Sequence, residues 1–242
     1  MTTLETSYVE KRSSPHNTLL QMFCEPSKAF SDIRNHGRPL LPLLLITLGS
    51  ALIIFWYYNS VDFLWLQDHL VTAIPDAAQR EAAKKFMTKG AMSTMGVVSI
   101  LIGIPLFSAL LACYFLIVAK IKNLPISFSK WFAFVTWSSV PGLLILPLGA
   151  IQILLSHNGQ LAPEQLNPLT LNQLLFHVDM AHPWKGLLDS VNFTTLWSLG
   201  LMTVGFQAWS KLSRATSLFF VLLPSGVIYG IWVAYLLLSK ST

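Results

Sequence analysis

The sequence predicts an all-α, polytopic membrane protein with five transmembrane helices. Three observations carry that reading. Only 11% of the residues are charged, where soluble domains run near 25%. Hydrophobic residues make up 53% of the chain, and the mean hydropathy is +0.57. The charges also divide the chain into five long neutral stretches, each able to supply the roughly 20 apolar residues that a spanning helix needs.

Those stretches are residues 39–61, 90–119, 131–163, 190–210 and 215–239. None is long enough for two spans and a loop. Spans are therefore expected at about 40–58, 96–119, 131–155, 191–209 and 216–238. Residues 1–38 form a tail and residues 39–239 the membrane domain. The first apolar run starts too far into the chain for a secretory signal. It continues into the bulky Ile54-Phe55-Trp56-Tyr57-Tyr58, so it is expected to stay as a span.

Orientation follows from Lys and Arg. Ten lie in the tail and in the short loops around 120–130 and 211–214, against six on the opposite side. That bias predicts a cytoplasmic N-terminus and an outer C-terminus. The basic residues stand singly or in small groups between apolar runs. The net charge of +5 thus reads as orientation and headgroup contact, not as a nucleic-acid surface.

Two segments outside the spans carry helical signals. In the tail, Leu19, Phe23, Phe30 and Ile33 share one helical face, with Pro26 splitting the run into two helices. This amphipathic segment either lies on the inner membrane surface or packs against the bundle. Residues 76–89, opened by Pro75 and closed by Gly90, read as a short external helix. The long loop at 156–189 holds turn signals at Asn158-Gly159, Pro163, Pro168 and Pro183, with a short helix possible at 169–178.

No catalytic motif is present, and no cofactor is expected. The candidate polar contacts for an ion or a partner are Asp62, Gln152, Asn192 and Gln207, all near span ends. Inside lipid such groups would be functional, whereas at the ends they can face water and headgroups. His177-x-Asp179-x-x-His182 in the outer loop offers donors that suit a transition metal, a site that His69 and Asp68 of the first loop could complete. A solvated loop with scattered histidines is the alternative, because zinc wants three or four ligands in fixed geometry. Pro105, Pro141, Pro147 and Pro224 fall inside spans and predict kinks. Gly226-x-x-x-Gly230 permits close helix approach. Trp131, Trp184 and Trp209 fall where interfacial anchors belong. Cys24 and Cys113 are not expected to meet, so no disulfide framework is predicted.

Several stretches together resemble the Yip family of membrane proteins, and particularly its bacterial members. They are residues 23–33 (Phe-Cys-Glu-Pro-Ser-Lys-Ala-Phe-Ser-Asp-Ile), Leu124-Pro125-Ile126-Ser127-Phe128 leading to Val140-Pro141-Gly142, and Trp197-Ser198-Leu199-Gly200-Leu201 followed by Leu212-Ser213-Arg214-Ala215 and Leu223-Pro224. The resemblance spans roughly residues 19–238 and implies a five-span domain. Eukaryotic members act in vesicle trafficking and membrane shaping, and bind Rab-type GTPases and one another. Their Tyr/Gly-rich signature is not evident here, so Rab binding is not carried over. The expected function is a non-enzymatic membrane scaffold that associates with itself, with other membrane proteins or with lipids. The alternative is a channel or transporter for a small solute or ion. The absence of any charged residue at a span centre weighs against a proton relay or a charged-substrate pathway.

Overall fold

The computed structural model describes residues 15–239. Lys11, Arg12 and Lys240, which enter the orientation argument, lie outside the described residues. The fold is all-helical, and an isolated antiparallel bridge between Thr170 and Asn192 accounts for the extended pairing among the described residues.

The chain opens with two short helices, α1 (Pro15–Cys24) and α2 (Pro26–His36), then α3 (Leu40–Ser60). Pro26 stands at the first position of α2, where a missing N–H costs nothing, so the expected split falls there. α3 leads, at the end opposite the N-terminal helices, to two short helices, α4 (Phe63–Val71) and α5 (Ala77–Phe86). Side-chain caps start both: Asp62 Oδ1 accepts from the amides of Leu64 and Trp65, and Asp76 Oδ1 from that of Gln79. The short helix predicted at 76–89 is thus α5.

α6 (Lys89–Ile121) returns across the bundle. Its 33 residues rise to about 50 Å, well beyond the roughly 30 Å of hydrocarbon, and it begins at the end of the bundle opposite the N-terminal helices. There Lys89 Nζ donates to Asn59 O at 3.1 Å, a cation on the exposed carbonyls that end α3.

The next crossing is broken. α7 (Phe128–Ser138) and α8 (Ile145–Leu155) are joined by a 3₁₀ turn, Val140–Leu144. Pro141 removes a donor and its ring crowds the carbonyl four residues back, so the α-helical ladder cannot pass through it. Gly142 instead bonds the carbonyl of Ser139, three residues back, at 2.9 Å. Pro147 lies in the first turn of α8, and Pro105 and Pro224 lie within helices that continue past them. Of the four predicted kinks, Pro141 is thus the one that interrupts its span.

After the outer loop and the short α9 (Lys185–Ser190) come α10 (Phe193–Ser210) and α11 (Arg214–Ser239). α3 packs most extensively on α6. α7 and the 3₁₀ turn sit between that pair and α10, and α11 packs chiefly on α10.

Four segments are long and apolar enough to cross a membrane: Leu40–Ser60, Lys89–Ile121, Phe128–Leu155 and Arg214–Ser239. The expected fifth, α10, is not among them. Its 18 residues rise to only about 27 Å and include Thr194, Thr195, Ser198, Thr203 and Gln207. The physical reason is its position. Thr194, Leu201, Met202, Thr203, Gly205, Phe206, Trp209 and Ser210 are all buried by neighbouring protein, which relieves α10 of the need to be apolar all round.

Candidate functional site

At the end of the bundle that carries the N-terminal helices, six aromatic side chains form one packed layer. Phe115 from α6, Trp131 and Phe134 from α7, and Phe206 and Trp209 from α10 contact one another with ring centroids 5.1–5.7 Å apart. Phe30 of α2 completes the layer, 5.5 Å from Phe134. All six are at most 2% exposed. Mixed edge-on and tilted geometries suit the ring quadrupoles, and each buried ring adds well over a kcal/mol (~1.5–3) by area alone.

α2 is fastened to this layer by polar bonds as well. Trp209 Nε1 donates to Phe30 O at 2.8 Å, and Arg34 Nη1 donates to Trp209 O at 3.1 Å. The ring of Phe30 lies on Gly205 so closely that a Cβ there would stand 2.7 Å from three of its atoms. Of the two positions expected for the tail helix, packing against the bundle is the one that takes the face of α2. Ala29, Phe30 and Ile33 are buried in protein.

The rim around this layer is basic. Arg34, Arg38, Lys120, Lys122, Lys130, Lys211 and Arg214 lie at these helix ends, with Asp32 as the acid among them. Lys122 also sits over the ring of Phe220, 5.3 Å from its centroid. The opposite end holds five Lys/Arg and seven acids among the described residues.

That opposite end contains a buried charge network. Lys185 Nζ lies 2.5 Å from Asp189 Oδ2 and 3.2 Å from Glu164 Oε1, and His69 Nε2 lies 3.3 Å from the same Glu164 oxygen. The Lys185 and Glu164 side chains are only 10% and 13% exposed. Burial pushes the Glu164 carboxyl up, but its own backbone amide and the Lys185 ammonium, with His69 beyond them, outweigh that and hold it below its ordinary value. Burial pushes the Lys185 ammonium down, and its bonds to Asp189 and Glu164 more than reverse this. The network joins α4 to the outer loop and α9. Tyr57 Oη, donating to Leu161 O at 2.8 Å, fixes the same loop to the top of α3. The sequence raised His69 only as a further metal donor and did not join it to Glu164 and Lys185, which are 21 residues apart in an irregular loop.

The middle of the bundle carries a third feature. Just before the Pro141 break, Thr136, Ser138 and Ser139 turn their hydroxyls back onto the carbonyls of Ala133, Phe134 and Val135. Thr136 and Ser138 are fully buried there. Thr47 Oγ1 on α3 and Trp137 Nε1 on α7 are buried without a hydrogen-bond partner.

A family model described as the Yip1 domain matches residues 20–235, nearly the whole of this architecture. The chain belongs to the Yip1 domain family. Neither the curated proteins nor the solved structures contain a match to it. The match begins inside α1, so the α1–α2 pair is part of the Yip1 domain and not an appendage to it.

Within this Yip1 domain the residues singled out from the sequence are scattered. Asp62 is the N-cap of α4, and its amide donates to Gly159 O at 2.9 Å. Asn192 is the N-cap of α10, its Oδ1 accepting from the Thr195 amide and from the hydroxyls of Thr194 and Thr195. Gln152 is half-buried on α8, and Gln207 is exposed near the end of α10. His177 is exposed in a left-handed conformation, and His182 Nδ1 accepts from the Trp184 amide. His177, Asp179 and His182 do not converge: no group of three or more His, Cys, Asp or Glu able to hold a metal occurs among the described residues. Gly226 and Gly230 are exposed on α11, and a Cβ at either would meet open space. Cys24 and Cys113 are free.

Proposed function

We propose that this chain is a non-enzymatic membrane scaffold with five spans, seated in a bacterial inner membrane with its N-terminal end in the cytoplasm. It associates with itself, with other membrane proteins or with lipids. The single observation that carries the reading is the six-ring layer of Phe30, Phe115, Trp131, Phe134, Phe206 and Trp209. It fills the basic end of the bundle with close-packed side chains, which suits a fixed shape better than a conduit. α10 is read as the fifth span, shielded by its neighbours. Gly226 and Gly230 on the outer face of α11 supply the surface for self-association. The bacterial setting rests on the resemblance of several stretches across residues 19–238, taken together, to that branch of the family, and the orientation on the basic rim.

Native mass spectrometry of the protein released from its own membranes tests this. Stoichiometric dimers that Gly226→Leu dissociates, with no solute flux in liposomes, are the expected result. Flux above that of empty vesicles, from a monomer indifferent to Gly226→Leu, would replace the scaffold by the second reading. That reading is a channel or transporter, and the interrupted α7–α8 span with its buried hydroxyls favours it. Broken helices at mid-membrane are where transporters bind their cargo.

A further inference from the structure

The connection between α8 and α10 sits lower on the bundle than its place in the sequence suggests, and two contacts with α11 set its level. Tyr229 Oη donates to Ser190 O at 3.3 Å, and the Trp232 ring lies on Gly186, where a Cβ would stand 3.2 Å from it. Arg214 begins α11, exposed at the basic rim, and residues 215–239 carry no charge. Tyr229 is fifteen residues on from Arg214, about 22 Å of rise. α9 and the start of α10 therefore lie within a hydrocarbon layer, roughly 30 Å thick, that begins at the rim. Past Tyr229, α11 stays free of charge for about 13 Å more, with Ile231, Leu237 and Leu238 exposed. The charges of α9 turn inward at this level: Lys185 is buried between Asp189 and Glu164.

The loop joins this level through the bridge between Thr170 and Asn192. The Leu171 amide donates to Val191 O at 2.8 Å, and the Phe193 amide to Leu169 O at 3.0 Å. From the bridge the chain makes one π-helical turn, Asn172–Phe176. Three consecutive apolar side chains cover its outside: Leu174, Leu175 and Phe176 are 48%, 68% and 55% exposed. Two polar side chains face the other way. Thr170 and Asn172 are buried, and they serve the backbone: Thr170 Oγ1 accepts from the Gln173 amide and Asn172 Oδ1 from the Val178 amide. The Leu174 and His177 amides close onto the carbonyls of Thr170 and Asn172. A turn that satisfies its backbone internally and shows apolar side chains outward is suited to lipid. Its reach is short as well. Thr170 to Phe176 is six residues, about 9 Å of rise, less than the stretch of apolar α11 beyond Tyr229.

We infer that this turn dips into the edge of the leaflet opposite the basic rim, and that acyl chains there cover Leu174, Leu175 and Phe176. The apolar surface continues onto α10, where Phe193, beside the bridge, and Leu196 are both exposed. His177, in a left-handed conformation directly after Phe176, starts a polar stretch with Asp179 and His182 that meets the headgroups. The order of side chains along the turn thus follows the order of the bilayer, from hydrocarbon to headgroup. Such an anchor serves a scaffold and a transporter equally, so its test stands apart from that of the scaffold reading.

Leu175→Cys, made in the Cys24→Ala, Cys113→Ala background, takes a nitroxide label without disturbing a packed position, because Leu175 is largely exposed. The full-length labelled protein is placed in nanodiscs of phosphatidylethanolamine and phosphatidylglycerol, and collisions with oxygen and with a neutral nickel chelate are compared. Two references bracket it: Ile231→Cys on the apolar face of α11, and Gln79→Cys, exposed on α5 at the same end of the bundle. Oxygen collisions should dominate at positions 175 and 231, and nickel collisions at position 79. Nickel-dominated collisions at position 175 would put the turn in water and overturn the inference. Weak collisions with both reagents there would mean a protein cover, such as a second copy, and would overturn the assignment to lipid.

Discussion

Phe30 and Gly205 should be energetically coupled, and a double-mutant cycle measures by how much. Phe30 is fully buried, and its ring leaves no room for a methyl group on Gly205, where a Cβ would stand 2.7 Å from three ring atoms. Phe30→Ala removes a core aromatic, a change that costs about 3–5 kcal/mol. At the lower figure the open state of α2 becomes more than 100-fold more populated, since 1.4 kcal/mol is about tenfold. Gly205→Ala alone combines two opposed effects. Overpacking costs about 1–3 kcal/mol, and better helix propensity returns just under ~1 kcal/mol. Once Phe30→Ala has removed the ring, only the second effect survives, so Gly205→Ala should become neutral or stabilising. The expected coupling is therefore about 1–3 kcal/mol, well above the few tenths seen for independent sites. Hydrogen exchange of the α2 amides in lipid nanodiscs reads all four corners of the cycle. Additive effects would refute the contact, and with it the docking of α2 on α10.

Lys185→Met leaves Glu164 and Asp189 buried without their shared cation, which should cost about 3–5 kcal/mol by the usual penalty for breaking a buried pair; a thermal midpoint within a degree of the parent would show that the network carries no stability. The Glu164 carboxyl is held below its ordinary 4.5, so the unfolded chain binds the extra proton as pH drops. Its contribution is complete above about pH 4.5 and lost as pH falls further. The midpoint difference between the parent and Glu164→Gln should accordingly be constant above that pH and shrink below it. Trp209→Phe keeps the ring layer but removes the bond to Phe30 O, and should cost about 1 kcal/mol in chemical denaturation. Gly226→Leu faces open space, so the monomer should be unaffected or gain up to about 1 kcal/mol of helix propensity while any dimer measured by native mass spectrometry is lost.

The spans were legible because hydropathy measures what a helix shows to lipid. Leu40–Ser60, Lys89–Ile121, Phe128–Leu155 and Arg214–Ser239 all present large apolar side chains outward. α10 was legible as a helix from its neutral stretch, but not as a span by its own apolarity, since a helix surrounded by protein can keep Thr203 and Ser210. Pro141 announced its break, while Pro105 and Pro224 announced kinks in helices that run on. The polar residues near span ends proved less informative. Asp62 and Asn192 bond to the first turns of the helices they precede, a role that any Asx residue before an apolar run can take. Lys185 was counted only as a charge on the outer side, because nothing in sequence spacing joins it to Glu164 and His69.

The tail helix shows where amphipathicity stops being informative. A face built of Leu19, Phe23, Phe30 and Ile33 satisfies the same periodicity on a membrane surface as in a protein groove. What decides between them is Gly205 on α10, 175 residues away from Phe30, together with the Trp209 indole that takes up the Phe30 carbonyl. A side chain at position 205 would close the groove, and Phe30 would then have only lipid to cover it. The docking thus depends on a pair of residues, of which the local sequence displays one.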